Sequence, residues 1–172
     1  MFHRVARSFF TTLSRFLLSA WIGAAALFVI TSVAEQSSPD VDSVMRDRLA
    51  TIRFPHYYRF GAWVVATGLI CTTAAAVLNR GCLRRRLGAA ALVLMVSGGI
   101  AIWDYYQVYL PLQAMITPPG QSRPLEFIDL HKKSARINTI HLSIAFVAAA
   151  LACSPGRVSG GSGCGSLTEK QE

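Results

Sequence analysis

The sequence predicts an all-α fold: an integral membrane, antiparallel four-helix bundle with a short amphipathic outer helix between spans one and two. Three observations carry this expectation. Hydrophobic residues make up 52% of the 172-residue chain and charged residues only 15%, against about 25% charged in an average soluble domain. The apolar residues fall in four blocks, 16–34, 60–78, 87–103 and 137–154, none of which contains Asp, Glu, Lys or Arg. Crossing ~30 Å of hydrocarbon takes a helix of roughly 17–25 such residues, and these blocks lack the polar face that buried helices of a soluble bundle present every turn.

Taken in order, residues 1–15 form a basic N-terminal arm, 16–153 a membrane domain with spans at about 16–34, 60–78, 87–110 and 130–153, and 154–172 a disordered Gly/Ser-rich tail. Ser32-Val33-Ala34 has the small-x-small pattern of a leader cleavage site, but block one is longer than a usual leader core of about 7–15 residues. Ser38 before Pro39 reads as a helix start. Val41, Val44, Met45, Leu49 and Ile52 recur at helical spacing, so 39–53 is expected to lie on the outer membrane surface as an amphipathic helix. "PHYYRFG" (55–61) then turns into span two, and Pro111 is expected to end span three. Pro124 opens a last helix reaching about residue 152. Small residues mark packing faces in lipid: Ser19 and Gly23, Gly68 and Thr72, Ser97 to Gly99, and Ala145, Ala148, Ala149 and Ala152.

Charge sets orientation. Nine Lys and Arg lie on the side of the N-terminus, the 79–86 connection and the tail, and eight lie on the other side. The totals nearly tie, but "NRGCLRRR" packs four into eight residues, and short loops dominate the bias toward cytoplasmic cations. Both termini are therefore expected in the cytoplasm, with the chain in the cell membrane. The net charge of +8 is then a topology anchor and not a nucleic-acid surface. Tyr57, Tyr58, Trp63, Trp103, Tyr105, Tyr106 and Tyr109 fall near the outer ends of spans two and three as an interfacial belt. The lipid bilayer is the expected partner, with a homo-oligomer or another membrane protein as further options. Cys71, Cys82, Cys153 and Cys164 show no CxxC spacing and no disulfide framework.

The most informative stretch is "FIDLHKKSARINTIHLS" (127–143). At about 100° per residue, His131, Ser134, Asn138 and His141 share roughly 80° of arc, while Lys132, Lys133 and Arg136 point elsewhere. The cations can snorkel to headgroups; the neutral stripe must face protein or a wet cavity. His56, Tyr58, Arg59 and Asp104 lie at the same outer level, with Asp104 the natural partner for a histidine or for Arg59. This polar cluster is read first as interhelical hydrogen bonding. A transporter or channel component for a small polar solute or metal stays open beside it. A metal would draw on His56, His131 and Asp104, and a bis-histidine haem on His56 and His131. His131 and His141, about 15 Å apart along one helix, do not share an ion. No cofactor is specified by any motif, and no GxSxG elbow, phosphate loop or HExxH is present, so no catalytic residue is assigned.

Three motifs in order carry a family likeness: Trp21-x-Gly23, "FPHYYRFG" (54–61) and "FIDLHKKSARIN" (127–138). On them the chain, over about residues 14–153, resembles the transmembrane protein 205-like family of small four-span proteins, whose bacterial members have no assigned function. The matching positions are Phe54, Pro55, Tyr58 and Gly61 before span two, and Phe127, Leu130, His131, Ser134 and Asn138 before span four. Lys132 and Lys133 stand where small residues are usual, and Asp104 where a neutral polar residue is expected. The resemblance implies an integral membrane protein with no established enzymatic activity, expected through its bacterial members in the bacterial inner membrane. Its animal relatives are associated with resistance to metal-containing drugs and with secretory trafficking, which makes transport an expectation by likeness.

Overall fold

The computed structural model describes residues 2–154. All regular structure there is helical: α1 (Phe2–Ser37), α2 (Ser43–Leu78), α3 (Gly81–Asp104), a π-helical turn (Tyr105–Tyr109), α4 (Leu110–Met115) and α5 (Glu126–Cys153). Four helical segments, Phe2–Ser37, Ser43–Leu78, Gly81–Met115 and Glu126–Cys153, are long and apolar enough to cross a membrane. The expected tail lies outside the described residues.

The buried positions follow one rule. On α1 they are Thr11, Ser14, Leu18, Trp21 and Ala25, and on α3 Leu87, Ala90, Leu94, Ser97 and Asp104. On α2 Gly61, Gly68 and Ala75 fall seven apart, and α5 buries His141, Ala145, Ala148, Ala149 and Ala152. Alternating steps of three and four place each set on one narrow seam, and the small side chains let backbones approach closely where lipid gives no hydrophobic drive. Leu18, Ala75, Leu87, Ala90, Leu94, Ala148 and Ala152 from all four long helices form one core cluster. Large apolar groups such as Leu27, Ile30, Trp63, Ile70, Leu92 and Phe146 stay exposed on the opposite faces, an arrangement suited to acyl chains and not to water. Ser19 and Gly23, expected at a packing face, are exposed instead. Ser19 sits one position past Leu18 and Gly23 two past Trp21, both off the seam.

Contacts between α1 and α2 run in opposite register: Ser14 meets Thr72, Trp21 meets Gly61, and Phe28 meets Phe54. A single connection, Asn79-Arg80, joins α2 to α3, and Gly81 follows at φ 61°, a left-handed conformation that an L side chain resists. Asn79 caps α2 through its backbone N–H and side-chain amide, both on the Ala75 carbonyl, and its amide reaches Thr11 at 3.2 Å.

Several expected boundaries are corrected. The amphipathic segment 39–53 is not a separate surface helix; from Ser43 it is continuous with span two. The helix starts at Asp42, whose carboxylate accepts from the Met45 N–H at 2.7 Å, while Ser38 is spent on a turn with the Asp40 N–H. Pro55 sits inside α2 without ending it. The turns on either side are held to neighbours, Arg53 to Glu35 and Thr31, and Phe54 and Tyr57 to Phe28, which offsets the one hydrogen bond that proline removes. Pro111 does not stop the third span either. The Leu110 N–H bonds back to the Tyr105 carbonyl, one residue further than in an α-helix, and this widened turn makes room for the proline ring before α4 continues. The N-terminal arm is helical from Phe2 and merges with span one. Helix α5 begins at Glu126, with Glu126 and Asp129 in its first turn where the helix dipole favours anions.

Candidate functional site

Polar side chains of the helix interior collect in three layers. The first joins α1, α2, α3 and α5. The Ser97 hydroxyl donates to the His141 carbonyl at 2.8 Å and lies 3.4 Å from His141 Nδ1. His141 Nε2 is 3.2 Å from Asn138 Oδ1, and the Tyr57 hydroxyl reaches the same oxygen at 3.5 Å. With the Ser97 proton engaged by the backbone oxygen, both Ser97 Oγ and Asn138 Oδ1 face the ring as acceptors, so either tautomer of His141 finds a partner for its N–H. Trp21 roofs this layer: its ring stacks on Tyr57 at 5.4 Å and tilts over His141 at 6.4 Å. It fits because Gly61 has no side chain; a Cβ there would meet Trp21 Cη2 at 2.5 Å.

The second layer lies about two turns further along α3. Asp104, 3% exposed at the end of α3, accepts from the Tyr58 hydroxyl at 2.7 Å through Oδ2. Its Oδ1 is buried with no hydrogen-bond partner among the described residues, as are Tyr109 Oη and Trp21 Nε1. Tyr58 in turn packs with Tyr105 and Tyr109, the three ring centroids 4.3 to 5.3 Å apart. Tyr105 and Tyr109, four residues apart, fall on one side of the helix and both lie against Tyr58.

The third layer clasps the connections. Asp47 on α2 is buried; it accepts from Arg123 Nη2 at 2.5 Å and from the Gly120 N–H at 3.2 Å, tying the 116–125 connection to α2. Arg53 pairs with Glu35 and donates to Thr31 at 2.8 Å, while its guanidinium lies 5.0 Å from the Phe28 ring centre. At the far end of the helices Thr72 donates to the Gly68 carbonyl, which leaves the Ser14 hydroxyl to donate to Thr72 at 2.6 Å. Arg15 Nε there satisfies the Ala152 carbonyl at 2.8 Å.

Of the residues singled out from sequence, Asp104, Tyr58, Asn138 and His141 enter these layers. Ser134 is half-buried without such a bond. His56, Arg59 and His131 are exposed, and His131 stacks on Phe127 at 5.9 Å. Asp104 is therefore partnered by Tyr58 and not by a histidine or Arg59. His56, His131 and Asp104 do not converge, and no group of three His, Cys, Asp or Glu side chains placed to hold a metal occurs among the described residues. The aromatic belt also divides: Trp63, Trp103 and Tyr106 face outward, whereas Tyr57, Tyr58, Tyr105 and Tyr109 pack between helices. Sequence reasoning passed over Asp47 and the hydroxyl of Ser97, and named Trp21 only as a motif residue. No signal in the sequence marks Asp47: helical spacing turns it away from the apolar face of Val41, Met45, Leu49 and Ile52, and that face is the one left outward at Met45 and Ile52.

Compared with family models, curated proteins and solved structures, the chain matches none.

Proposed function

We propose that this is a multi-pass membrane protein, an antiparallel four-helix bundle in the bacterial inner membrane with both termini in the cytoplasm. In this reading its polar core holds the helices in register, and the protein is a structural or accessory component and not an enzyme. The carrying observation is the Ser97–His141–Asn138–Tyr57 chain, in which polar groups too costly for lipid bond to one another across α2, α3 and α5. The opposed register of α1 and α2 supports the antiparallel arrangement. Membership of the transmembrane protein 205-like family is part of the proposal. It is supported by the meeting of two of its motifs, Trp21 of the first against Gly61 of the second. The test is unfolding of the purified protein in detergent. His141→Ala and Ser97→Ala should lower the midpoint while no divalent metal shifts the wild type; unchanged midpoints would remove the structural reading.

One observation favours a second reading, a transporter or channel component for a small polar solute, a proton or a cation. Asp104 Oδ1 is buried and unpartnered among the described residues, and an ionisable group turned into the interior of a membrane bundle commonly marks a pathway. Proteoliposomes enclosing a pH-sensitive dye decide it. A proton leak lost in Asp104→Asn supports the pathway, and traces matching empty liposomes remove its proton form.

A further inference from the structure

A groove of about 520 Å³ runs between the end of α3 and the start of α5, lined by Trp103, Asp129, Lys132, Lys133, Arg136 and Ile137. It shares no residue with the polar core. The five α5 residues follow i, i+3, i+4, i+7, i+8 spacing, so they form one helix face. Lys133 Nζ lies 5.2 Å from the centre of the Trp103 ring. The ion pairs among the described residues are Arg53–Glu35 and Arg123–Asp47, so none of the three groove cations is neutralised there. One carboxylate, Asp129, stands against them.

We infer that this groove binds the net-negative headgroup of an anionic phospholipid, a phosphate diester with no cationic group attached to offset it. Its depth in the membrane matches. Arg136 is the last charge before the uncharged run 137–154, and Trp103 is the last residue of the uncharged run 87–103, so the cations sit at the headgroup layer where tryptophan also settles. The surface below fits acyl chains. One turn past Arg136 along the same face, Ile140 is exposed, followed by Val147; one turn before Trp103, Gly99 leaves the surface of α3 bare, and Val96 continues it. A free inorganic anion would use the cations but not this apolar track. Basic pockets between membrane helices hold anionic headgroups on the same principle.

The experiment is a detergent melting titration of the full chain with a short-chain phosphatidylglycerol, the matching phosphatidylcholine and inorganic phosphate. Phosphatidylglycerol should raise the midpoint saturably, and the other two should not over the same range. The triple variant Lys132→Gln, Lys133→Gln, Arg136→Gln should weaken the phosphatidylglycerol response about tenfold or more. Arg84→Gln with Arg85→Gln, a charge loss at the other end, should leave it intact. All five positions are exposed, and a cooperative melt of each variant without lipid verifies its fold. Equal shifts with the two lipids, an unaltered response in the triple variant, or inorganic phosphate matching the lipid would each overturn the assignment.

Discussion

Trp21 lies against the bare backbone of Gly61, where an added methyl group would come within 2.5 Å of its ring. The contact couples α1 to α2 at the level of the polar core, because the same indole covers Tyr57 and His141. Gly61→Ala should therefore displace the ring and cost about 1–3 kcal/mol. Adding Trp21→Leu, which removes the clashing ring, should make the double variant less destabilised than the sum of the two single changes. Reversible unfolding in detergent measures all three.

His141 and His131 share a helix and differ in fate. His141 is 5% exposed and bonded, so His141→Ala should lose about 2–4 kcal/mol through cavity and unmade hydrogen bonds. His131 is exposed, and His131→Ala should fall within about 0.5 kcal/mol of wild type. A larger loss at His131 than at His141 would reverse the assignment of the polar core.

Tyr58→Phe removes the one hydrogen bond to the buried Asp104 carboxyl and should cost about 1–3 kcal/mol. Asp104→Asn keeps an oxygen acceptor for Tyr58 and should cost less. In the Asp104→Asn background Tyr58→Phe should cost less than in wild type. The double-mutant cycle reads the coupling directly.

The clasp at Asp47 is asymmetric: its side chain is 4% exposed and that of Arg123 is 39% exposed. Removing the arginine strands a buried carboxylate, so Arg123→Gln should destabilise more than Asp47→Asn. Both should free the 116–125 connection, seen as faster amide hydrogen exchange at Gly120 and Gln121.

The spans were legible because lipid imposes a length and a composition that no local detail overrides. The polar face of α5 was legible in its deeper half only: Asn138 and His141 turn inward, while His131 lies where α5 has passed beyond the packed seam. The interior roles of Tyr57 and Tyr109 were hidden by their position near span ends, where tyrosine is equally at home in an interface. Pro55 and Pro111 misled for a shared reason. Local propensity ends a helix at proline, but packing on both flanks at Pro55 and a π turn before Pro111 carry the chain through. The pairing of Asp47 with Arg123 spans 76 residues, and no local pattern announces a partner at that distance.

The central claim is that the chain crosses the bilayer, with the α2–α3 connection in the cytoplasm and the 116–125 connection outside. Two single-cysteine proteins test it: one keeping Cys82 alone and one carrying Ser122→Cys alone, with the other cysteines replaced. Each is treated in intact cells with a membrane-impermeant maleimide. Ser122→Cys should label at once, and Cys82 only after the membrane is opened. Labelling of both from outside, or of Cys82 alone, would contradict the account.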